Sequence, residues 1–250
     1  MISALLLGRK GSVGFPGKNT FPVLGRPIAW YVMEAAKRAS LVDNVYLSTD
    51  CPDLMRLARK SGVEVIERPA ELCTKTALGE DAFVHGYEEI KKRNLGQQLE
   101  SVVLLFCNAP TLLASQIDRG IEILREKPEI DSVVTAYRQN WYSPARARRL
   151  DNNGLLQPFI PFENIPAKNI SCDRDAQGDC FFVDVAVSVV RPQNLENIHK
   201  GMLPQKWMGH NIYPIPNIGG LDIDEEWQLP LIEGYLLRNG FTNDKTPYGD

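Results

Sequence analysis

Twelve residues near the start of the chain, Gly8-Arg9-Lys10-Gly11-Ser12-Val13-Gly14-Phe15-Pro16-Gly17-Lys18-Asn19, contain four glycines and three cations. Glycine adopts unusual backbone angles and adds no bulk, so such a loop can bring its N–H groups against phosphate oxygens, with Arg9 and Lys18 neutralising the remaining charge. The same composition also makes ordinary turns. Two commoner phosphate loops are excluded by spacing. A P-loop needs a glycine five positions before Gly17 and a hydroxyl residue after Lys18, and the chain has Ser12 and Asn19 there. The glycines also do not read G-x-G-x-x-G. Far downstream, Asp222 and Asp224 flank Ile223. Mg²⁺ takes oxygen ligands, usually one or two carboxylates with substrate phosphates and water. Residues two apart on an extended segment point to the same side, so both carboxylates can face one ion. The alternative is that Asp224 caps the helix that follows and Asp222 is solvated.

The run R-x-G-S-x-G-x-P-G-K-N after an apolar strand resembles the signature of the acylneuraminate cytidylyltransferases, the CMP-sialic acid synthetases. Three further segments are similar to that family in the same order: Leu47-Ser48-Thr49-Asp50, Glu67-Arg68-Pro69-Ala70-Glu71-Leu72 with Thr76-Ala77, and Leu221-Asp222-Ile223-Asp224-Glu225-Glu226. The resemblance implies a Rossmann-like nucleotidyltransferase fold, CTP and Mg²⁺ as co-substrates, and a homodimer in which an inserted segment reaches across to the partner. It implies that Arg9, Ser12 and Lys18 hold the triphosphate with Gly11 and Gly14, and that Asn19, Arg68 and Ala77 orient the nucleotide. Asp222 and Asp224 would hold the metal, and Arg9, Lys18 and Asp224 would carry catalysis. Two positions depart from the family: Val13 stands where lysine is usual, and Phe106 where a glutamine is expected. Lys10 is a candidate replacement for the missing cation, and Asn108 for the missing amide. The implied reaction is attack by the anomeric hydroxyl of a sialic-acid-like sugar on the α-phosphorus of CTP, with pyrophosphate leaving. A 3-deoxy-octulosonic acid as acceptor, or a CTP-binding homologue with lost catalysis, are the competing readings.

A sugar acid presents a carboxylate, for which guanidinium is the natural bidentate partner. Arg146, Arg148, Arg149, Lys168 and Arg174 are candidates, with Arg146 and Arg174 foremost; such a cluster is also an ordinary solvated face or a dimer contact. Phe182 is a candidate to pack beside the sugar's tail, and one of Phe181 and Phe182 is expected in the core because strand neighbours face opposite sides. His85, His199 and His210 match no motif and read as structural or surface residues.

The elements that position these residues follow from periodicity. Over the first 140 residues apolar or β-branched runs alternate with helical patterns, the grammar of an α/β protein with a mostly parallel sheet. Strands are expected at Ser3–Leu7, Asn44–Ser48, Val63–Ile66, Ser101–Phe106 and Ser132–Ala136. Helices are expected near Ile28–Ala39, Pro52–Lys60, Glu80–Arg93 and Gln116–Lys127. Phe83, Tyr87 and Ile90, then Ile117, Ile121 and Leu124, fall at i, i+4, i+7 and mark core faces. From residue 141 to 179 prolines, asparagines and the turn Asp151-Asn152-Asn153-Gly154 break the pattern, giving one domain over 1–250 with an inserted segment. Strand character returns at Cys180–Val190, and a last helix is expected from Glu225 to Arg238 with Trp227, Leu231 and Tyr235 on its inner face. The formal charge of −3 gives no general attraction to nucleic acid or anionic membranes, so any anion site is local. No apolar run reaches the roughly 18 residues of a membrane span, and Met1 leads into the Ala4–Leu7 stretch without a charged leader, so the cytoplasm is the expected compartment. The five cysteines are scattered, without a C-x-x-C pair, and are expected as free thiols.

Overall fold

The computed structural model describes residues 1–11, 14–165 and 170–249; Ser12, Val13 and Lys168 lie outside the described residues. The strands are β1 (Ile2–Leu7), β2 (Pro22–Val23), β3 (Arg26–Pro27), β4 (Asn44–Thr49), β5 (Glu64–Glu67), β6 (Ser101–Phe106), β7 (Ser132–Arg138), β8 (Arg148–Leu150), β9 (Leu156–Pro158), β10 (Phe181–Val190) and β11 (Ile212–Pro216). The helices are α1 (Ile28–Arg38), α2 (Pro52–Lys60), α3 (Gly79–Arg93), α4 (Ala114–Glu126), α5 (Pro192–Glu196) and α6 (Leu229–Arg238), with short 3₁₀ turns between them.

Seven strands form one sheet in the order β11-β7-β10-β6-β1-β4-β5. Every neighbouring pair is parallel except those made by β10, which runs against β6 and β7, so the sheet is mixed and mostly parallel. All six residues of β1 are buried, as a central strand covered on both faces requires. Leu5 and Leu7 pack with Phe83, Tyr87 and Ile90 of α3, while Leu6 belongs to the cluster on the other face with Ile117, Ile121 and Leu124 of α4. Because β1, β4, β5, β6 and β7 share one direction, the loops that follow them gather along a single edge, the edge where open α/β sheets bind ligands. Among the described residues no helix is long and apolar enough to cross a membrane.

Two expectations are corrected. The chain from Glu225 to Arg238 is not one helix: a 3₁₀ turn, Glu226–Gln228, precedes α6, and the inner face is Ile232, Tyr235 and Leu236. Trp227 and Leu231 are exposed. The tighter 3.0-residue turn, with Pro230 starting a new helix, shifts the phase that a continuous 3.6-residue period assumes. Neither Phe181 nor Phe182 is core, at 59% and 43% exposure. That end of β10 pairs only with β7, since the pairing with β6 is confined to Ser188–Val190. A strand without a sequence expectation, β11, carries two prolines and forms the edge of the sheet, where a missing N–H donor is tolerated.

Candidate active site

The loop after β1 is pinned at both ends. Gly8 N donates to Ser48 O at 3.2 Å, and Lys10 N to Asp50 Oδ1 at 2.8 Å. Beyond the left-handed Gly17 the chain enters the 3₁₀ turn Lys18–Thr20. Between these ends Phe15 drops into an apolar cluster with Ile223, Ile232, Tyr235 and Leu236. Ile223, fully buried between the two aspartates, thus anchors the acidic segment to the same core as the glycine loop.

The acidic segment lies along the residues after β6. Asn108 O accepts from Ile223 N at 2.8 Å, and Asn108 Nδ2 donates to Ile223 O at 3.1 Å and to Asp222 Oδ2 at 3.4 Å. Thr111 Oγ1 donates to Leu221 O at 2.9 Å and accepts from Leu221 N at 2.8 Å. Gln228 Oε1 accepts from Asp224 N and Glu225 N at 2.7 and 2.8 Å, so the helical turn is capped by Gln228 and the Asp224 carboxylate is left for other partners.

Loop and acidic segment meet directly. Lys18 Nζ lies 2.6 Å from Asp224 Oδ1 and 2.5 Å from Ile223 O. Gly14 sits so close that a Cβ there would be 2.6 Å from Asp224 O. The ammonium is nearly buried while the carboxylate is open to solvent, with side-chain exposures of 12% and 67%. Asp222 is the more enclosed carboxylate: burial first, then the neighbouring Asp224 charge, raises its pKa above the ordinary aspartate value. The reading in which Asp222 is the solvated member of the pair therefore fails.

A cavity of about 420 Å³ opens beside this junction. Arg9, Gly14, Lys18, Asn19, Arg68, Ala77, Asn108 and Asp224 all line it, eight of the candidate residues in one place. Arg68 is buried, with Nε donating to Ser48 Oγ at 3.1 Å and Nη2 to Ser48 O at 2.7 Å; burial, followed among the lowering effects by the Arg9 charge, reduces its pKa. Leu72, Leu78, Ala82 and Phe106 add an apolar wall, and Phe106 is braced by Phe83 and Trp207 with ring centroids 5.2 and 6.0 Å away. Asn19 is nine-tenths buried, and its Oδ1 has no hydrogen-bond partner among the described residues. Its acidic lining residues are Asp224 and Glu225, with Asp222 set behind the wall against Asn108; cationic side chains and a flat apolar wall together suit a ligand that is aromatic at one end and polyanionic at the other.

Other candidates lie elsewhere. Gly11 and Lys10 line a neighbouring cavity on the α2 side of the loop, with Gly17, Thr20, Cys51 and Leu54. Arg146 Nη2 donates to Cys172 O at 2.9 Å and its Nε to Gln177 Oε1 at 3.4 Å, ties within the inserted segment. Arg174 stacks over Trp141 at 5.3 Å and lines a separate cavity of about 300 Å³ beyond the end of β7. Phe182 meets the edge of Tyr142 at 6.1 Å. Sequence reasoning missed Thr111, Asp184, Asn217 and Gly220, which support the acidic segment from below. The paired glycines Gly219-Gly220 directly before Leu221-Asp222 were the available signal of a close backbone approach.

The cytidylyltransferase family model matches residues 3–153. The N-acylneuraminate cytidylyltransferase of Oncorhynchus mykiss is 23% identical over 243 residues, 96% of this chain and 51% of that protein. The 3-deoxy-manno-octulosonate cytidylyltransferase of Bdellovibrio bacteriovorus is 26% identical over 136 residues, 54% of this chain and 51% of that protein. The chain thus spans about half the length of these curated relatives. Among solved structures, a CMP:2-keto-3-deoxy-manno-octonic acid synthetase in complex with CTP superposes with a TM-score of 0.66 at 14% identity, covering 95% of this chain and 98% of that one.

Proposed function

We propose that this chain, which belongs to the cytidylyltransferase family, transfers CMP from CTP to the anomeric hydroxyl of an acidic sugar and releases pyrophosphate. The observation that carries this reading is the junction itself: Lys18 of the glycine loop rests 2.6 Å from Asp224, at the mouth of a cavity walled by Arg9, Arg68 and Phe106. Arg9 and Lys18 meet the triphosphate, while Phe106, Ala77 and Leu78 give the pyrimidine a flat apolar seat. Asn19 Oδ1, without a partner among the described residues, accepts from a ribose hydroxyl or the cytosine amine. Ser12 would join the phosphate contacts by the resemblance of the loop.

The donor set suits Mg²⁺. Asp222 and Asp224 offer only oxygen ligands, and an ammonium already rests against Asp224, so a cation is accommodated there. Among the described residues no group of three or more acidic, histidine or cysteine side chains is arranged to hold a metal ion, and Mg²⁺ ordinarily completes its shell with phosphate oxygens and water. When bound, the ion would offset triphosphate charge during the displacement. The chain's own residues position and neutralise: the sugar oxygen bonds to the α-phosphorus as its proton passes to solvent water, the bond to the bridging α–β oxygen breaks, and Arg9 and Lys18 balance charge gathering on the leaving pyrophosphate. No histidine is assigned to this step; His210 Nε2 is engaged 2.7 Å from Lys200 O.

The named relatives act on two kinds of sugar acid, so the acceptor is set here only as a class. Mixing the protein with CTP, Mg²⁺ and a panel of sialic-type and 3-deoxy-octulosonic acids should release pyrophosphate with at least one acid and with none when CTP is omitted. Thermal stabilisation by CTP with no release for any acid would instead support a nucleotide-binding homologue.

The inserted segment, 141–179, is read as the dimerisation and acceptor-side element. Its hairpin β8–β9 leaves Leu150, Leu156 and Phe159 at 68%, 69% and 60% exposure. Two three-residue strands do not hold an apolar face in water on their own, so a second copy of the chain is its expected cover. The double variant Leu156→Asp with Phe159→Asp should convert a dimer to a folded monomer, read by light scattering and circular dichroism; an unchanged mass would remove the hairpin from the interface.

A further inference from the structure

On β10 the pairing with β7 loses register between Val183 and Ser188, and inside that break Val185 takes a φ of 52°, a left-handed value that β-branched residues avoid. The break turns Asp184 into the protein, where it is 8% exposed. Its Oδ1 accepts from Thr135 Oγ1 at 2.5 Å and from Ala186 N at 3.0 Å, and its Oδ2 from Asn217 Nδ2 at 2.8 Å. All three partners are neutral donors, and no cation is paired with this carboxylate among the described residues. Burial raises its pKa, so keeping it here carries a cost.

The chain that leads to the two aspartates crosses directly above it. Asn217, held by Thr111 O at 2.8 Å and by donation from Tyr235 Oη at 3.0 Å and Gln116 Nε2 at 3.1 Å, accepts from Gly220 N at 3.0 Å. A Cβ at Gly220 would stand 1.9 Å from Asp184 Oδ2 and 2.3 Å from Asn217 Nδ2. Thr111 then grips Leu221 on both backbone atoms, and Asp222 follows.

We infer that Asp184 is a positioning residue for the metal-holding segment: its carboxylate is the floor on which Gly220–Asp222 is laid, and its unbalanced charge deepens the negative field under Asp222 and Asp224. A broken ladder, a left-handed valine and a buried carboxylate converge two residues of chain away from Asp222, and strain of this kind gathers where a site must be held in one geometry. The inference rests on the proposed function.

The test is the divalent-ion dependence of Asp184→Asn. The amide keeps the shape and the Oδ1 acceptor, removes the charge and sets an NH₂ group against that of Asn217. Half-saturation of pyrophosphate release should move to about tenfold higher Mg²⁺, a loss typical of residues behind metal ligands, while kcat at saturating Mg²⁺ falls much less. Mn²⁺ binding in the presence of CTP, read by electron paramagnetic resonance, should weaken by the same factor, whereas CTP binding in EDTA should stay as in the wild type. A merely structural aspartate predicts a lower Tm and an unshifted Mg²⁺ curve, and that result overturns the inference. If Asp184→Asn does not fold, Thr135→Val, which removes one donor and leaves the charge, decides: a rightward Mg²⁺ shift supports the inference and an unshifted curve overturns it. Wild-type protein that releases no pyrophosphate overturns the proposed function, whereas an active wild type beside an unshifted variant overturns only the role of Asp184.

Discussion

Asp224→Asn should lower the rate of pyrophosphate release by about a hundred- to a thousandfold, the scale seen when one preorganised charge-stabilising group is removed from a transition state. The amide keeps the size of the carboxylate and removes half of the anionic donor set. The fold should persist. Asp224 is two-thirds exposed at its side chain and among the described residues pairs only with Lys18, and an ion pair of that exposure contributes about 1 kcal/mol at most. A chain of this size would then lose only a few degrees of Tm. Measurement of kcat and Tm on the same preparation checks both halves, and near-normal turnover would take Asp224 out of the site.

The second large effect is expected from a single methyl group. Gly14→Ala places a Cβ 2.6 Å from the carbonyl oxygen of Asp224, and the obstacle is backbone, which cannot swing aside as a side-chain tip would. Loop and acidic segment must part by several tenths of an ångström. The contacts of Lys18 with Asp224 and Ile223, 2.6 and 2.5 Å long, then stretch, and a triphosphate meets the two sides in a displaced geometry. A misplacement of about 1 Å in a positioned site costs on the order of a hundredfold, so a parting of several tenths should cost roughly tenfold in kcat/KM. CTP affinity by calorimetry and kcat/KM by pyrophosphate release should fall together. Alanine tolerated without loss would mean that the contact between Gly14 and Asp224 has no part in function.

These two residues belong to the portion of the site that could be read from the chain. The glycine loop and the two aspartates carry their chemistry in their own residue types, and the elements that deliver them are long, strongly periodic segments. The ends of β6 and α2 fall where periodicity and Pro52 place them, and Phe83, Tyr87 and Ile90 are buried as their spacing requires. Legibility ends where structure depends on distant pairing. Whether Asp184 faces inward is decided by a register break between β10 and β7 and by a left-handed Val185, and neither feature has a local signature. The antiparallel course of β10 is similarly non-local, so a mostly parallel sheet was legible and its one reversed strand was not. The phase of α6 was lost to a three-residue 3₁₀ turn, enough to exchange Trp227 and Leu231 for Ile232 and Leu236 on the buried face. Asn108 shows a subtler limit. Its amide, read as a nucleotide contact, is committed to Ile223 O and Asp222, so within the cavity wall it also holds the acidic segment in place.

The inserted segment is the part in which residue type says least. Arginine is abundant there for reasons that the fold makes visible: Arg146 ties the segment to itself and Arg174 stacks on Trp141.

In the proposed reaction a single magnesium-bound triphosphate is shared by the loop and the acidic segment. The most direct test is a crystal structure of the protein grown with CTP and Mg²⁺. The expected result is density for the ion at Asp222 and Asp224, with Arg9 and Lys18 on the phosphates of the same nucleotide and the cytosine against Phe106. Nucleotide bound away from Lys18, or an ion held without either aspartate, would contradict it.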